Sequence, residues 1–175
     1  MRPVLFISIL FLMKTFVLFD FNTDSDINDW RIIDDVVMGG RSNGAFELTQ
    51  YGHGKFSGNV SLENNGGFSS LRYYFAGKEV SQYTKAMLRV KGDGSKYQFR
   101  VKRSSRAYVS YIYEFETTTE WITVEIPFNE MYPGFRGRKL RQANFPGDYM
   151  EEIGFLIGNK KAQSFELLID KIELK

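Results

Sequence analysis

Alternation of apolar and polar residues with a period of two constrains this chain more than any other feature. Side chains on a β-strand point to opposite faces in turn, so this pattern indicates strands that bury one face. The clearest alternation lies at residues 56–62, 96–102, 108–115 and 121–126. Further strands are predicted at residues 15–21, 69–75, 86–91, 153–158 and 165–174.

Clusters rich in glycine, proline and asparagine separate these runs and mark turns. They lie at residues 52–54, 64–67, 92–94, 133–134 and 146–147. No amphipathic helical pattern exceeds a turn or two, and one short turn is expected at 148–152. The stretch 130–148 lacks a strand pattern, and we expect it to run over the surface. About ten strands with no repeat or linker predict one all-β domain at residues 15–175, a jelly-roll β-sandwich.

Residues 1–14 are interpreted as an N-terminal extension of this domain. The segment resembles a signal peptide, with an early charge and a short apolar run, but Lys14 interrupts it and no small-residue cleavage site follows. The run is also too short for a membrane-spanning helix. We expect Met13 to be the true initiator and the protein to be cytoplasmic, with export through the apolar segment as the alternative. Mass spectrometry of the native N-terminus distinguishes the two.

Composition excludes several kinds of chemistry. The 175 residues include no cysteine, which excludes disulfides, thiolate nucleophiles and cysteine-bound metals. The single histidine, His53, lies between two glycines and is interpreted as a solvated loop residue. The formal net charge of +2 is too small to indicate a nucleic-acid partner or a membrane partner.

No recognisable catalytic motif is present. The chain lacks a G-x-S-x-G elbow, a P-loop, a dinucleotide fingerprint and an H-E-x-x-H pair. Asp34 and Asp35 could in principle act as paired carboxylates, but neighbouring residues of a strand face opposite sides. The sequence therefore predicts a protein that is not an enzyme, with a small enzyme using this acid pair as the weakest alternative.

Oxygen-bearing residues recur at every second position from Asp20 to Asp26, superficially like a calcium loop. Ser25 stands where such a loop needs glycine, and Arg31 stands where it needs a bidentate glutamate. A plain polar loop is favoured over a structural calcium ion, and no metal or other cofactor is predicted.

One face of the predicted strand at residues 96–102 is basic, with Lys96, Arg100 and Lys102. The basic character continues along the chain into Arg103 and Arg106. A solvated sheet face is favoured over a nucleic-acid surface, because acidic residues elsewhere nearly cancel the charge. Exposed aromatic side chains could instead stack on sugars. Tyr97, Tyr111 and Trp121 are the candidates for such a carbohydrate-binding surface.

Two glycine-rich segments stand out, DDVVMGGRS at residues 34–42 and NNGGFSSLR at residues 64–72. Glycine permits positive φ and close backbone approach, so both are interpreted as tight corners that pack together. In this interpretation Asp34 or Asp35 holds Arg72 in a buried ion pair. The candidate partner-binding or structural residues are Asp34, Asp35, Met38, Gly39, Gly40, Ser42, Asn65, Gly66, Gly67, Phe68, Arg72 and Arg100.

These motifs together resemble the complex I intermediate-associated protein 30 family, whose members include assembly factors for NADH:ubiquinone oxidoreductase. The resemblance is carried by FDF (19–21), Trp30, the two corners with their strand (34–42 and 56–72), WITVEIPFNEMYPGFRGR (121–138) and the closing strands (153–174).

The resemblance implies a galactose-binding-like β-sandwich without catalytic activity or an obligatory cofactor, and a chaperone-like role in assembly. We therefore expect a protein partner, bound through the two corners and the face around Arg100. In that hypothesis the glycine amides and Ser42 offer hydrogen bonds, Arg72 anchors the corners, and Asp35 orients Arg72 or a partner cation. The alternative is a carbohydrate-binding module. No stable membrane insertion is expected.

Overall fold

A computed structural model describes residues 14–175 of the chain. The predictions about the N-terminal extension fall almost entirely on residues 1–13, outside the described part, and stay predictions. Between residues 14 and 175, no helix has the length and hydropathy that a membrane crossing requires. The described chain is built from thirteen strands in two antiparallel sheets. This confirms the predicted all-β sandwich.

The first sheet has six strands. These are β1 (Phe16–Asp20), β3 (Asn43–Leu48), β4 (Gly54–Val60), β6 (Lys85–Gly92), β9 (Ile122–Pro127) and β13 (Gln163–Leu174). They lie in the order β3-β4-β13-β6-β9, and β1 also pairs with β13. The long β13 therefore organises this sheet, because β1, β4 and β6 all pair with it.

The second sheet has seven strands. These are β2 (Trp30–Asp34), β5 (Ser69–Glu79), β7 (Lys96–Lys102), β8 (Ser110–Glu116), β10 (Tyr132–Phe135), β11 (Arg138–Lys139) and β12 (Tyr149–Ile157). Their order is β11-β10-β8-β7-β12-β5-β2. β12 lies between β5 and β7, so strands from distant parts of the chain are neighbours in this sheet, as expected of a jelly roll.

The core lies between the two sheets and follows the period-two pattern. On β7, Tyr97, Phe99 and Val101 are buried, as the alternation predicts. Phe56 of β4 and Phe155 of β12 are also inaccessible to solvent. Aromatic side chains close one end of the core, with rings 4.4–6.0 Å apart: Phe19, Phe21, Trp30, Phe46 and Tyr73.

Two predictions about local structure are wrong. Residues 148–152 do not form a helical turn, since β12 begins at Tyr149 and pairs with both β5 and β7. The stretch 130–148 is not a plain surface excursion, because β10 extends the sheet beside β8 and Phe145 is buried in the core. Tyr132–Phe135 contains proline and glycine, and these hide its strand character in the sequence.

Candidate functional site

The two glycine-rich corners meet because of one strand pairing. β2 pairs with β5, and the last residue of β2, Asp34, lies opposite the first residue of β5, Ser69. The chain leaving β2 and the chain entering β5 therefore lie at the same end of the seven-stranded sheet. A short 3-10 turn follows β2 at Asp35–Met38, and another precedes β5 at Glu63–Asn65.

The carboxylate of Asp35 joins the two corners. Its side chain is fully buried. It accepts hydrogen bonds from the backbone amide of Ser42 at 2.9 Å, from the Ser42 hydroxyl, and from the amides of Gly67 at 2.6 Å and Phe68 at 3.2 Å. Burial raises the pKa of Asp35, but these hydrogen bonds outweigh that effect, so the pKa is lowered overall. The carboxylate is therefore held in its charged form.

Further hydrogen bonds complete the junction. The Ser42 hydroxyl oxygen accepts the Ser61 amide at 2.9 Å, which ties the first corner to the end of β4. Asp34 links β2 to β3 and β5 instead. Its carboxylate accepts hydrogen bonds from the Gly44 amide at 2.8 Å and from the Ser69 hydroxyl. The two adjacent acids thus have separate structural tasks, and neither points a free carboxylate at a common substrate.

Glycine is required at this junction mainly for space. A Cβ added at Gly40 would lie 2.3 Å from Asp35 Oδ1, and one at Gly66 would lie 2.6 Å from Asp35 Oδ2. Gly39 and Gly67 have φ values of 91° and 138°, which L side chains rarely adopt. The repeated glycine pairs therefore let the backbone close around one carboxylate.

Apolar side chains project from the joined corners. Val36 and Met38 are each 59% exposed, and Leu62, beside the second corner, is 47% exposed. We call these three residues the apolar tip. An exposed ion pair, Arg41 to Glu63 at 3.3 Å, bridges the same two corners. Asn65 is exposed and has a φ of 60°, so it serves the turn.

The predicted role of Arg72 is wrong. Its guanidinium lies 3.8 Å from Glu152 and makes no ion pair with Asp34 or Asp35. Arg72 stands opposite Gly154 of β12, so its side chain shares a sheet face with Glu152 and not with the corners. Asp35 itself anchors the corners. The Ser42 hydroxyl and the Gly67 amide already donate to the Asp35 carboxylate. They are therefore not available to a partner, contrary to the prediction.

The basic strand face is solvated only in part, which corrects a second prediction. Lys96, Arg103 and Arg106 are exposed, but Arg100 and Lys102 are not. Lys102 is only 9% exposed, and it donates to the carbonyl of Ser105 at 2.7 Å and to Glu152 at 3.3 Å. Arg100 is half-buried and donates to the side-chain oxygen of Gln98 through Nε at 3.0 Å and Nη2 at 2.6 Å. Burial, and then the positive charge of Arg72, lower the pKa of Arg100 to about 10.

The aromatic residues proposed to stack on sugars are not free platforms. Tyr97 is fully buried in the core. Tyr111 is half-buried and packs on Phe145 with ring centres 5.1 Å apart. Trp121 is half-buried just before β9 of the six-stranded sheet, and its ring centre lies 4.7 Å from that of His53. His53 is accordingly not a solvated loop residue, since its Nδ1 also lies 3.3 Å from Asp170.

The oxygen-bearing loop near the N-terminus uses its side chains for its own turns. Asn22 accepts the amide of Asp24, and Asp26 accepts the amide of Asn28, each at 2.9 Å. Asp20 pairs with Lys171 at 3.3 Å. Within residues 14–175, no three acidic or histidine side chains come together as metal ligands would.

Two antiparallel sheets packed as two layers define a galactose-binding-like β-sandwich. The chain belongs to the complex I intermediate-associated protein 30 (CIA30) family, whose model matches residues 19–169.

Solved structures with the same fold are carbohydrate-binding modules and domains of larger enzymes. The family 11 carbohydrate-binding module of a cellulosomal cellulase of Clostridium thermocellum has a TM-score of 0.68 at 17% identity, covering 93% of this chain and 94% of that one. The same module in complex with a β-1,3-1,4-mixed-linked tetrasaccharide has a TM-score of 0.65 at 18% identity, covering 91% and 94%. The Endo-D glycoside hydrolase domain of Streptococcus pneumoniae has a TM-score of 0.55 at 16% identity, covering 83% and 21%. At these identities the similarity concerns the fold alone.

The residues of the apolar tip were not all among the predicted site residues. Met38 was, but Val36 and Leu62 were not. The available signal was an apolar run inside a segment otherwise made of acids, glycines and turn residues. Val36 and Met38 lie outside any strand alternation that would bury them. Leu62 ends the alternation predicted at 56–62, but β4 ends at Val60 and Leu62 is exposed.

Proposed function

We propose that this chain is a non-catalytic protein-binding domain with a chaperone-like role in the assembly of a multisubunit complex, such as a respiratory complex. The single observation that carries this proposal is the apolar tip on the junction that Asp35 holds. Family membership supports the assembly role, because the family is described by its association with intermediates of complex I.

The apolar tip has the properties of a protein-binding contact. Methionine is enriched at protein interfaces, and its flexible thioether adapts to an apolar pocket of a partner. The four hydrogen bonds to Asp35 hold the backbone that carries Val36 and Met38 in one conformation in the free protein. A preordered loop loses less conformational entropy on binding, so a small contact contributes more affinity.

The experiment is affinity purification of the tagged chain from its native cells, with quantitative mass spectrometry. We expect subunits of one multisubunit complex to be enriched by the wild-type protein and lost with the double variant Met38→Glu and Leu62→Glu. The matched control is Tyr51→Glu, because Tyr51 is 77% exposed in the turn at the other end of β3 and β4. Retention of the same subunits by the double variant would overturn the proposal.

A second candidate function is carbohydrate binding, and one observation favours it. Tyr108 and Phe135 are 64% and 39% exposed at the β8–β10 edge, with ring centres 5.4 Å apart. Exposed aromatic faces can stack on sugars. Titration with a β-1,3-1,4-mixed-linked tetrasaccharide tests this function. Binding that is lost with Tyr108→Ala and kept with the double variant of the apolar tip would replace the first proposal with this one.

A further inference from the structure

The outer face of the seven-stranded sheet carries two arginines separated by a glycine. Gly154 of β12 stands opposite Arg72 of β5 on one side and opposite Arg100 of β7 on the other. Arg31 of β2 stands opposite Arg72 in turn, so the four residues form one row across four strands. An Arg72 side-chain carbon lies 3.5 Å from the place that a Gly154 Cβ would occupy. Because residue 154 is glycine, no side chain stands between Arg72 and Arg100.

The charges around this row do not balance. Glu152 lies near two cations, Arg72 at 3.8 Å and Lys102 at 3.3 Å. Glu114 accepts hydrogen bonds from neutral groups, Gln98 at 3.1 Å and Tyr132 at 3.2 Å.

Arg100 has no carboxylate within ion-pair distance among residues 14–175. Four cations, the exposed Arg31 included, thus face two carboxylates. Arg31 donates to the backbone carbonyls of Asn28 and Trp30, whereas Arg100 is half-buried and has no carboxylate partner in that part of the chain. A partly buried cation without a counter-charge is unfavourable, and the depressed pKa of Arg100 agrees with this environment.

We propose that Arg100 and Arg72 form a binding site for a single carboxylate, presented by an acidic side chain of the protein partner. Guanidinium groups match the planar geometry of a carboxylate and bind it through paired hydrogen bonds. In this row Arg100 is the half-buried cation without a carboxylate partner among residues 14–175, and a single carboxylate would neutralise its charge. Half-buried Tyr132 beside the site fits a protein contact, since tyrosine is enriched at such interfaces. This inference rests on the proposed function and names the chemistry of the partner.

The test measures binding of fluorescently labelled octaglutamate by anisotropy at low salt, with octaglutamine as the neutral probe. We expect octaglutamate to bind and octaglutamine not to bind. Arg100→Gln should weaken octaglutamate binding at least about tenfold, the loss expected when one partner of a desolvated charge pair is removed. Arg89→Gln removes the same charge from the other sheet and should change the affinity less than about twofold. Arg72→Gln serves as a second variant at the site, should Arg100→Gln fail to fold.

Several outcomes would overturn the inference. These are no binding of octaglutamate, equal losses with Arg100→Gln and Arg89→Gln, or tighter binding of octagalacturonate, which presents carboxylates on a sugar chain. The double variant Met38→Glu and Leu62→Glu separates this inference from the proposed function. If it abolishes capture of the partner while Arg100→Gln does not, the carboxylate site fails and the proposed function stands. If neither variant affects capture, the proposed function fails.

Discussion

The buried carboxylate of Asp35 accepts the backbone amide of Gly67 at 2.6 Å, across 32 positions of sequence. This one contact joins two turns that strand pairing has already brought to the same sheet end. A charged acceptor satisfies several backbone donors at once and replaces the water that those donors would otherwise need. The junction beneath the apolar tip depends on this charge.

Asp35→Asn should destabilise the protein by at least about 2 kcal/mol, because the new amide nitrogen faces backbone donors and the charge-assisted bonds are lost. Asp24→Asn is the control, since Asp24 is exposed on the loop between β1 and β2. Urea denaturation of both variants and the wild type measures the free energy of unfolding. Equal stability of the two variants would contradict the role given to Asp35.

The pH dependence of stability should report the same carboxylate. The folded-state pKa of Asp35 is lowered, so its contribution is complete above the unfolded pKa of about 3.9 and is lost as pH falls through the folded pKa. Unfolding free energies of the wild type and Asp35→Asn should therefore converge as pH falls below this value. A constant difference between neutral pH and pH of about 3 would refute a lowered pKa.

Gly40→Ala should destabilise the protein by about 1–3 kcal/mol, because the added Cβ would overlap the Asp35 carboxylate. The same substitution in an Asp35→Ala background should cost much less, since the overlapping carboxylate is gone. A double-mutant cycle in urea denaturation measures this coupling. Additive effects of the two substitutions would show that Gly40 matters for another reason.

Arg100→Met should leave the unfolding free energy unchanged or raise it, although it removes two hydrogen bonds to Gln98. Replacing a buried, unpaired charge with an apolar chain of similar length is often neutral or stabilising. Thermal unfolding of the free protein measures this effect, with Lys102→Met as a contrast that removes the nearer of the two cations beside the buried Glu152. A large loss of stability with Arg100→Met would mark Arg100 as a structural residue.

Much of the fold could be predicted from the sequence because the strand period is regular where one face is buried. Residues 96–102 show this well, with Tyr97, Phe99 and Val101 in the core. Residues 30–34 and 43–48 were missed as strands, because they lie among polar turn motifs whose glycines and acids mask the alternation. Asp34 and Asp35 look like functional acids in the sequence, and only the pairing of β2 with β5 gives each its structural partners.

The candidate site was predicted in part, and its errors share one physical cause. The expected packing of the two corners placed Arg72, the last residue of the second segment, beside the acids of the first corner. The register of β5 against β12 instead directs it toward Glu152. The burial of Arg100 and Lys102 depends in the same way on which strands lie beside β7. Neighbouring strands in an antiparallel sandwich come from distant parts of the chain, so local patterns do not specify them.

The most direct test of the protein-binding account is site-specific photo-crosslinking in the native cells. A photoreactive phenylalanine analogue replaces Met38 or Leu62 in turn, with Tyr51 as the exposed control position. We predict the same discrete protein adduct from positions 38 and 62 and none from position 51. No adduct at the first two positions, or the same adduct at all three, would contradict the account.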